Sequence, residues 1–398
     1  MGTDENHNVR GEMPIEIPEV LQTWADVYGY DASTTQLRSL IVAECASNMF
    51  KALMGEVGPN RTIDAIRPLN NIIGRVLVNM AKQRFGELGT GVEAVTMPYY
   101  WLHCGSSHGR INPMEIREGR AIVELFACPF AAVNAPPEAC VAMSHAISEG
   151  LCEASDPSYE YIWTHHLANG DGRCRYVVKK KSSKYDPSHL GRLEKTVPLE
   201  LSQSEMDLAT QNVAFTQLNN FTTASVNTIG SQRTIELVTP LAIETGHRLG
   251  VNLIKASEEV KNDFQGTRNV LELLNNILLQ NGPPSRIIVS EIEKEIVDCP
   301  FKGSSPEVCK NLEGMFNGVC EAINPDYEFA YDRMMSKGDS TCHWTIRKNE
   351  MPKERASSED PTKNLALRLS KGEISIEEFE RTIASLRKHG LVKQDNPD

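Results

Sequence analysis

A chain of 398 residues is long enough for two or three domains, and an apolar fraction of 40% supplies ordinary globular cores. The net charge of −12 argues against a nucleic-acid-binding surface, which needs clustered Lys and Arg, and no run of 18 apolar residues offers a membrane span. Met1–Glu12 is polar and lacks the charged-then-apolar pattern of a secretory signal, so a cytoplasmic location is expected.

In chain order, residues 1–36 read as an N-terminal extension. Residues 37–86 carry apolar positions at helical spacing, as at Leu40, Ala43, Phe50 and Leu53, and are predicted to be helical. The stretch His-Cys-Gly-Ser-Ser-His-Gly-Arg follows, with His103, Cys104, His108 and Arg110. Then come Cys128-Pro129-Phe130, Pro137-Glu138-Ala139-Cys140 and Gly150-Leu151-Cys152-Glu153-Ala154. Tyr159–Leu167 and Arg173–Val178 are rich in aromatic and β-branched residues around Asn169-Gly170-Asp171-Gly172, which predicts a β-hairpin. Gly170 at the first central position suits a type II′ turn, setting His165 opposite Tyr176 and Leu167 opposite Cys174. Alternation then puts Tyr159, Tyr161, Trp163, His165, Leu167, Cys174, Tyr176 and Val178 on one face, with Glu160, Thr164, Arg173 and Arg175 on a wet one. Residues 179–205 are charged and read as a linker, with Lys179, Lys180, Lys181 and Lys184 solvated.

The second half repeats the first. Arg61-Thr62-Ile63, Pro68-Leu69 and Gly74 are answered by Arg233-Thr234-Ile235, Pro240-Leu241 and Gly246, at an offset of 172. Cys299-Pro300-Phe301, Pro306-Glu307-Val308-Cys309, Gly318-Val319-Cys320-Glu321-Ala322, Tyr327-Glu328-Phe329 and Gly338-Asp339 with Cys342 follow in the same order, the offset drifting from 171 to 168. Self-similarity over so many ordered positions predicts two homologous domains, 37–178 and 206–348. A polar stretch at 349–361 leads to 362–390, which reads as a helical hairpin, with Ser375 and Glu378 forming a capping box for its second helix. The expected fold is α+β: two repeats, each with N-terminal helices followed by a small antiparallel sheet, forming a pseudo-dimer, plus the helical-hairpin tail.

Eight of the ten cysteines fall into two matching groups of four. Thiolates build closed tetrahedral zinc sites, but no Cys-x-x-Cys pair occurs, and Cys152 and Cys320 suit buried small hydrophobes. The histidines are unevenly shared. His103, His108, His145, His165 and His166 stand in the first repeat without histidine counterparts in the second, where Arg333-Met334 answers His165-His166. A thiol nucleophile needs a base in reach, so the candidate chemistry lies in repeat one: His103, Cys104, His108, His145 and His165. Tyr161, Trp163 and Tyr176, with Arg333 in the second repeat, are candidate walls of an aromatic pocket, and Arg110 is a candidate partner for a substrate carboxylate.

This order of motifs resembles the L-2-amino-thiazoline-4-carboxylic acid hydrolase-like family and is similar to 4-vinyl-reductase-type ligand-binding domains. The tail resembles a short C-terminal (SHOCT) domain, which implies a homo-oligomer. The hydrolase resemblance implies addition of water to a carbon–nitrogen bond of a small cyclic amidine or amide. The sensor resemblance implies a non-catalytic protein for an aromatic or hydrophobic small molecule. In such domains a Cys-x7-Cys hairpin helps hold zinc; His166-x7-Cys174 replaces it here, so the resemblance implies zinc on Cys128, Cys140, His166 and Cys174. No Gly-x4-Gly-Lys-Ser/Thr phosphate loop is present.

Overall fold

Long helices carry most of the described residues, and two small sheets hang from them. The computed structural model describes residues 34–107, 109–188, 190–256, 263–279, 286–288, 291–296, 299 and 301–348. The chain falls into two compact units, Met1–Arg347 and Lys348–Asp398. Beyond Lys348 the second unit lies outside the described residues, as do residues 1–33, His108 and the expected hairpin at 362–390.

The fold is α+β, with ten α-helices and two antiparallel sheets among the described residues. Helices α1 (Thr34–Val57), α2 (Pro59–Phe85) and α3 (Val92–Ser106) come first. Strands β1 (Met114–Arg117) and β2 (Arg120–Leu125) precede the short helices α4 (Pro129–Ala132) and α5 (Pro137–Cys140), then α6 (Ala146–Ser155). Strands β3 (Tyr159–His165), β4 (Cys174–Lys180) and β5 (Leu193–Val197) complete a sheet of order β3-β4-β2-β1-β5. Helices α7 (Gln203–Ile229), α8 (Ser231–Ala256) and α9 (Phe264–Leu279) follow, then β6 (Arg286–Ile288), β7 (Glu291–Ile296), α10 (Pro306–Ile323), β8 (Tyr327–Arg333) and β9 (Cys342–Lys348). The second sheet runs β6-β7-β9-β8. No helix among the described residues is long and apolar enough to cross a membrane.

Local sequence explains the helix ends. Ser202 caps α7 in a reciprocal box with Glu205, Gly58 and Gly86 bound α2, and Pro59 and Pro306 stand in first turns where no N–H is needed. In α10, Val308, Leu312, Met315, Val319 and Ile323 recur at helical spacing and all are buried. Helix α6 crosses α2, and α10 crosses α8, at glycines. A Cβ on Gly150 or Gly74 would lie 1.9 Å from the Asn71 carbonyl oxygen or 2.1 Å from that of Ile147, and one on Gly318 or Gly246 would meet Ile243 or Met315 as closely. The core runs from these crossings to the α1–α7 packing, where Phe50 and Phe221 rings stand 5.6 Å apart.

Lys179 and Leu193–Val197, read as solvated linker, lie instead in β4 and β5, with Lys179 buried and donating through Nζ to Glu160 at 2.6 Å. Two further features differ from the sequence reading. The β3–β4 connection is not a two-residue type II′ turn. Leu167–Asn169 winds into a 3-10 turn ending at left-handed Gly170, and the Asp171 carboxylate accepts the His166 N–H at 2.8 Å. A bulge between Trp163 and His165 then sets Trp163 opposite Tyr176, and His165 opposite Arg175 rather than Tyr176. The second sheet repeats the device, with Met335–Lys337 as the 3-10 turn and Asp339 accepting from the Met334 N–H at 2.7 Å.

The other difference is a π-turn at Val141–His145 that joins α5 to α6. Pro137 and Gly150 are 13 positions apart, whereas Pro306 and Gly318 are 12 apart within the unbroken α10. One extra residue in a helix widens a single turn rather than slipping the whole register. That widened turn ends at His145.

Candidate functional site

Helix α3, the π-turn and the β3–β4 hairpin bring most of the candidate residues to one place. Tyr99 and His103 lie one turn apart on α3, their rings 4.1 Å apart. Tyr176 on β4 stacks on Tyr99 at 5.7 Å, and its hydroxyl is 3.4 Å from His103 Nδ1. Trp163 lies 5.0 Å from Tyr176, and Tyr161 5.4 Å. Burial pushes the His103 imidazole down to about 3, so it is neutral at physiological pH.

The rings of His145, Trp163 and His166 lie nearly parallel, within 17° of one another and 5.5–5.9 Å apart. His145 Nε2, Trp163 Nε1 and His166 Nδ1 are buried without a hydrogen-bond partner. Burial, then the neighbouring imidazole of His166, lowers His145 to about 4, and burial also lowers His166. Orphaned buried nitrogens are uncommon and call for a ligand, ion or water.

Cys128, Cys140, Cys174 and His166 line one narrow cavity with Tyr99, His103 and Trp163. The Leu167 N–H donates to Cys174 Sγ at 3.2 Å. Burial dominates all three thiols, raising Cys174 to about 12 and pushing Cys128 and Cys140 up as well. Three thiols and an imidazole have the chemistry of a soft-metal donor set. Among the described residues, however, no group of three His, Cys, Asp or Glu side chains converges as ligands would.

The remaining candidates lie elsewhere. Cys104 is buried beside Tyr100, which bonds to it, and burial holds its thiol up at about 12. Arg110 is exposed beyond the end of α3. His165 Nδ1 is 3.0 Å from the Thr164 hydroxyl. Arg333 is half-exposed on β8 and pairs with Glu295 at 3.3 Å. Among the described residues the one histidine-to-hydroxyl contact outside the Tyr176–His103 pair is that of His165 with Thr164, and no histidine side chain hydrogen-bonds to a cysteine or serine side chain.

A second concavity opens beside this core. Between α2, α3 and α7 runs an apolar cleft of about 1270 Å³, its open mouth included. Ile72, Ile73, Val76, Met80 and Trp101 line it, and it shares Leu102, Ile147 and Val213 with the thiol-lined cavity. Ile72 and Val76 are 55% and 48% exposed, an unusual state for two large apolar side chains one turn apart. Trp101 Nε1 and Gln217 Oε1 are buried in its wall without partners.

No family model matches the chain, and no match was found among the curated proteins or the solved structures. The family resemblance therefore rests on its motifs, and function is argued from geometry.

The cleft escaped sequence reasoning because its residues are ordinary helix positions. Its one sequence signal is comparative: Ile72 and Val76 align with Glu244 and Arg248 at the offset of 172.

Proposed function

We propose that the chain is a small-molecule-binding protein made of two fused copies of one domain, with the ligand in the apolar cleft of copy one. The carrying observation is the contrast between matching positions. In copy one, Ile72 and Val76 face Thr216 and Asn220 across an open, apolar cleft. At the matching positions of copy two, Arg248 pairs with Glu44, and Asn48 Nδ2 donates to Thr245 Oγ1 at 2.9 Å. Polar groups bridge the helices there, where copy one leaves space.

The pseudo-dimer is supported by reciprocal contacts. Asn220 of copy two donates to Asn70 of copy one at 3.1 Å, and Asn48 of copy one reaches Thr245 of copy two. A hydrolytic reading needs an activated nucleophile. In copy one, Cys104, Cys128, Cys140 and Cys174 are held up and His103 is held neutral by burial, and the absence of hydrogen bonds between these thiols and the imidazole favours binding over hydrolysis.

A titration with the neutral fluorophore N-phenyl-1-naphthylamine tests the reading. Saturable binding near one site per chain is expected, and the double variant Ile72→Glu, Val76→Arg, which copies the closed half, should abolish it while circular dichroism stays unchanged. Unsaturable binding, or binding that survives in the variant, would overturn the assignment.

A further inference from the structure

Strand β3 is an edge of its sheet, and its open side borders a third cavity of about 750 Å³, mouth included, against α6. The Lys181 N–H bonds to the Ser158 carbonyl at 2.8 Å, which fixes the parity of the β3–β4 ladder. Glu160 and Ile162 therefore bond across to β4, while Tyr161 and Trp163 turn their N–H and C=O to the open edge.

The equivalent edge strand in the second sheet is closed. Asn317 on α10 donates through Nδ2 to the Phe329 carbonyl and accepts the Phe329 N–H through Oδ1, both at 2.9 Å. One primary carboxamide thus satisfies both outward groups of one residue. Glu149 precedes Gly150 as Asn317 precedes Gly318, and Tyr161 stands in Tyr-Glu-Tyr as Phe329 stands in Tyr-Glu-Phe. A carboxylate has no N–H to give a carbonyl. Glu149 turns away instead and pairs with Arg67.

We infer that this cavity binds a small, flat molecule through a primary carboxamide, which makes to Tyr161 the two hydrogen bonds that Asn317 makes to Phe329. The protein's own side chain is the template for the ligand. His145 and Trp163 add two flat walls, their rings 10° from parallel, and two buried nitrogens without partners. The extra residue of the π-turn is what delivers His145 to this wall. The site is distinct from the apolar cleft, and its test does not depend on that cleft.

Saturation-transfer NMR with benzamide, benzoate and N,N-dimethylbenzamide tests the inference on the full chain. Benzamide is expected to bind, with the acid and the dimethyl amide at least tenfold weaker, because neither presents a donor beside its acceptor. Glu149→Asn should rebuild the internal clamp and weaken benzamide at least tenfold, with unfolding midpoint and circular dichroism checked in parallel. Asn317→Glu should open a second, matching site and raise the stoichiometry. Equal binding of the three probes, or benzamide binding unchanged in Glu149→Asn, would overturn it. So would a blocked pentapeptide that displaces benzamide at far lower concentration, which would make the edge a strand-addition site.

Discussion

A Cβ on Gly150 would lie 1.9 Å from the carbonyl oxygen of Asn71, so α6 crosses α2 at backbone contact. No rotamer change relieves a clash between a Cβ and a carbonyl, and the helices would have to part. Gly150→Ala is expected to cost at least about 3 kcal/mol, read as a lower urea midpoint. Gly55, exposed in α1 with nothing within 4 Å of a Cβ, is the control. Gly55→Ala should stabilise by roughly 0.5 kcal/mol through reduced backbone entropy.

Stability should fall with acid through His103. Burial depresses its folded-state value from 6.5 to about 3, so the unfolded chain takes up a proton that the native state refuses. The loss begins as pH drops below 6.5 and continues towards 3, for a total of at most about 5 kcal/mol. His145, lowered to about 4, adds in the same direction. Urea midpoints for wild type and His103→Gln between pH 7 and pH 4 check this. The variant should show a visibly flatter profile, and an equal slope would exclude His103 as the main source.

Gln217 should trade stability for binding. Its buried Oε1 has no partner in the cleft wall, so Gln217→Leu removes an unsatisfied acceptor and is expected to raise ligand-free stability by about 1 kcal/mol. The same variant should hold ligands that lack a hydrogen-bond donor and lose those that offer one. Thermal melts paired with titrations separate the two effects.

The thiols should be nearly silent in the folded protein. Nine of the ten cysteines are buried and Cys128 is partly so, and burial raises Cys104, Cys152 and Cys174 to about 12. Cys342, lowered to about 7 by its hydrogen bond with Cys299, is itself buried and is the one fast thiol to be expected. Reaction with 5,5′-dithiobis(2-nitrobenzoate) at pH 8 should release at most one fast equivalent, and ten in guanidinium chloride. Several fast-reacting thiols in the native protein would contradict the burial of the Cys128–Cys140–Cys174 group.

Much of the architecture was legible because local signals repeat. Apolar spacing marked α1 and α2, and the alternating aromatic residues marked β3 and β4. The turn between them was misread because Asn169-Gly170-Asp171-Gly172 has the composition of a tight turn. Asp171 instead bonds back to the His166 N–H, and the three residues before Gly170 coil. The gathering of Tyr161, Trp163, Tyr176, His103 and His145 around one core was foreseeable in kind. The separation of Arg110 and Arg333 from it was not, since sequence spacing says nothing about which side of a helix or which sheet a residue joins.

By itself the sequence determined the paired motifs, the α+β class and the concentration of histidines in the first half. These are properties of local pattern, and two aligned halves display them without coordinates. Only the tertiary structure decided where space is left. Ile72 and Val76 frame a cleft because α7 of the other half stands across from them. Tyr161 offers its backbone because Glu149 turns to Arg67, whereas Asn317 clamps Phe329. One or two substituted side chains fill or free each place, and the outcome depends on partners as near as Phe329 to Asn317, 12 positions apart, or as far as Glu44 from Arg248, 204 apart.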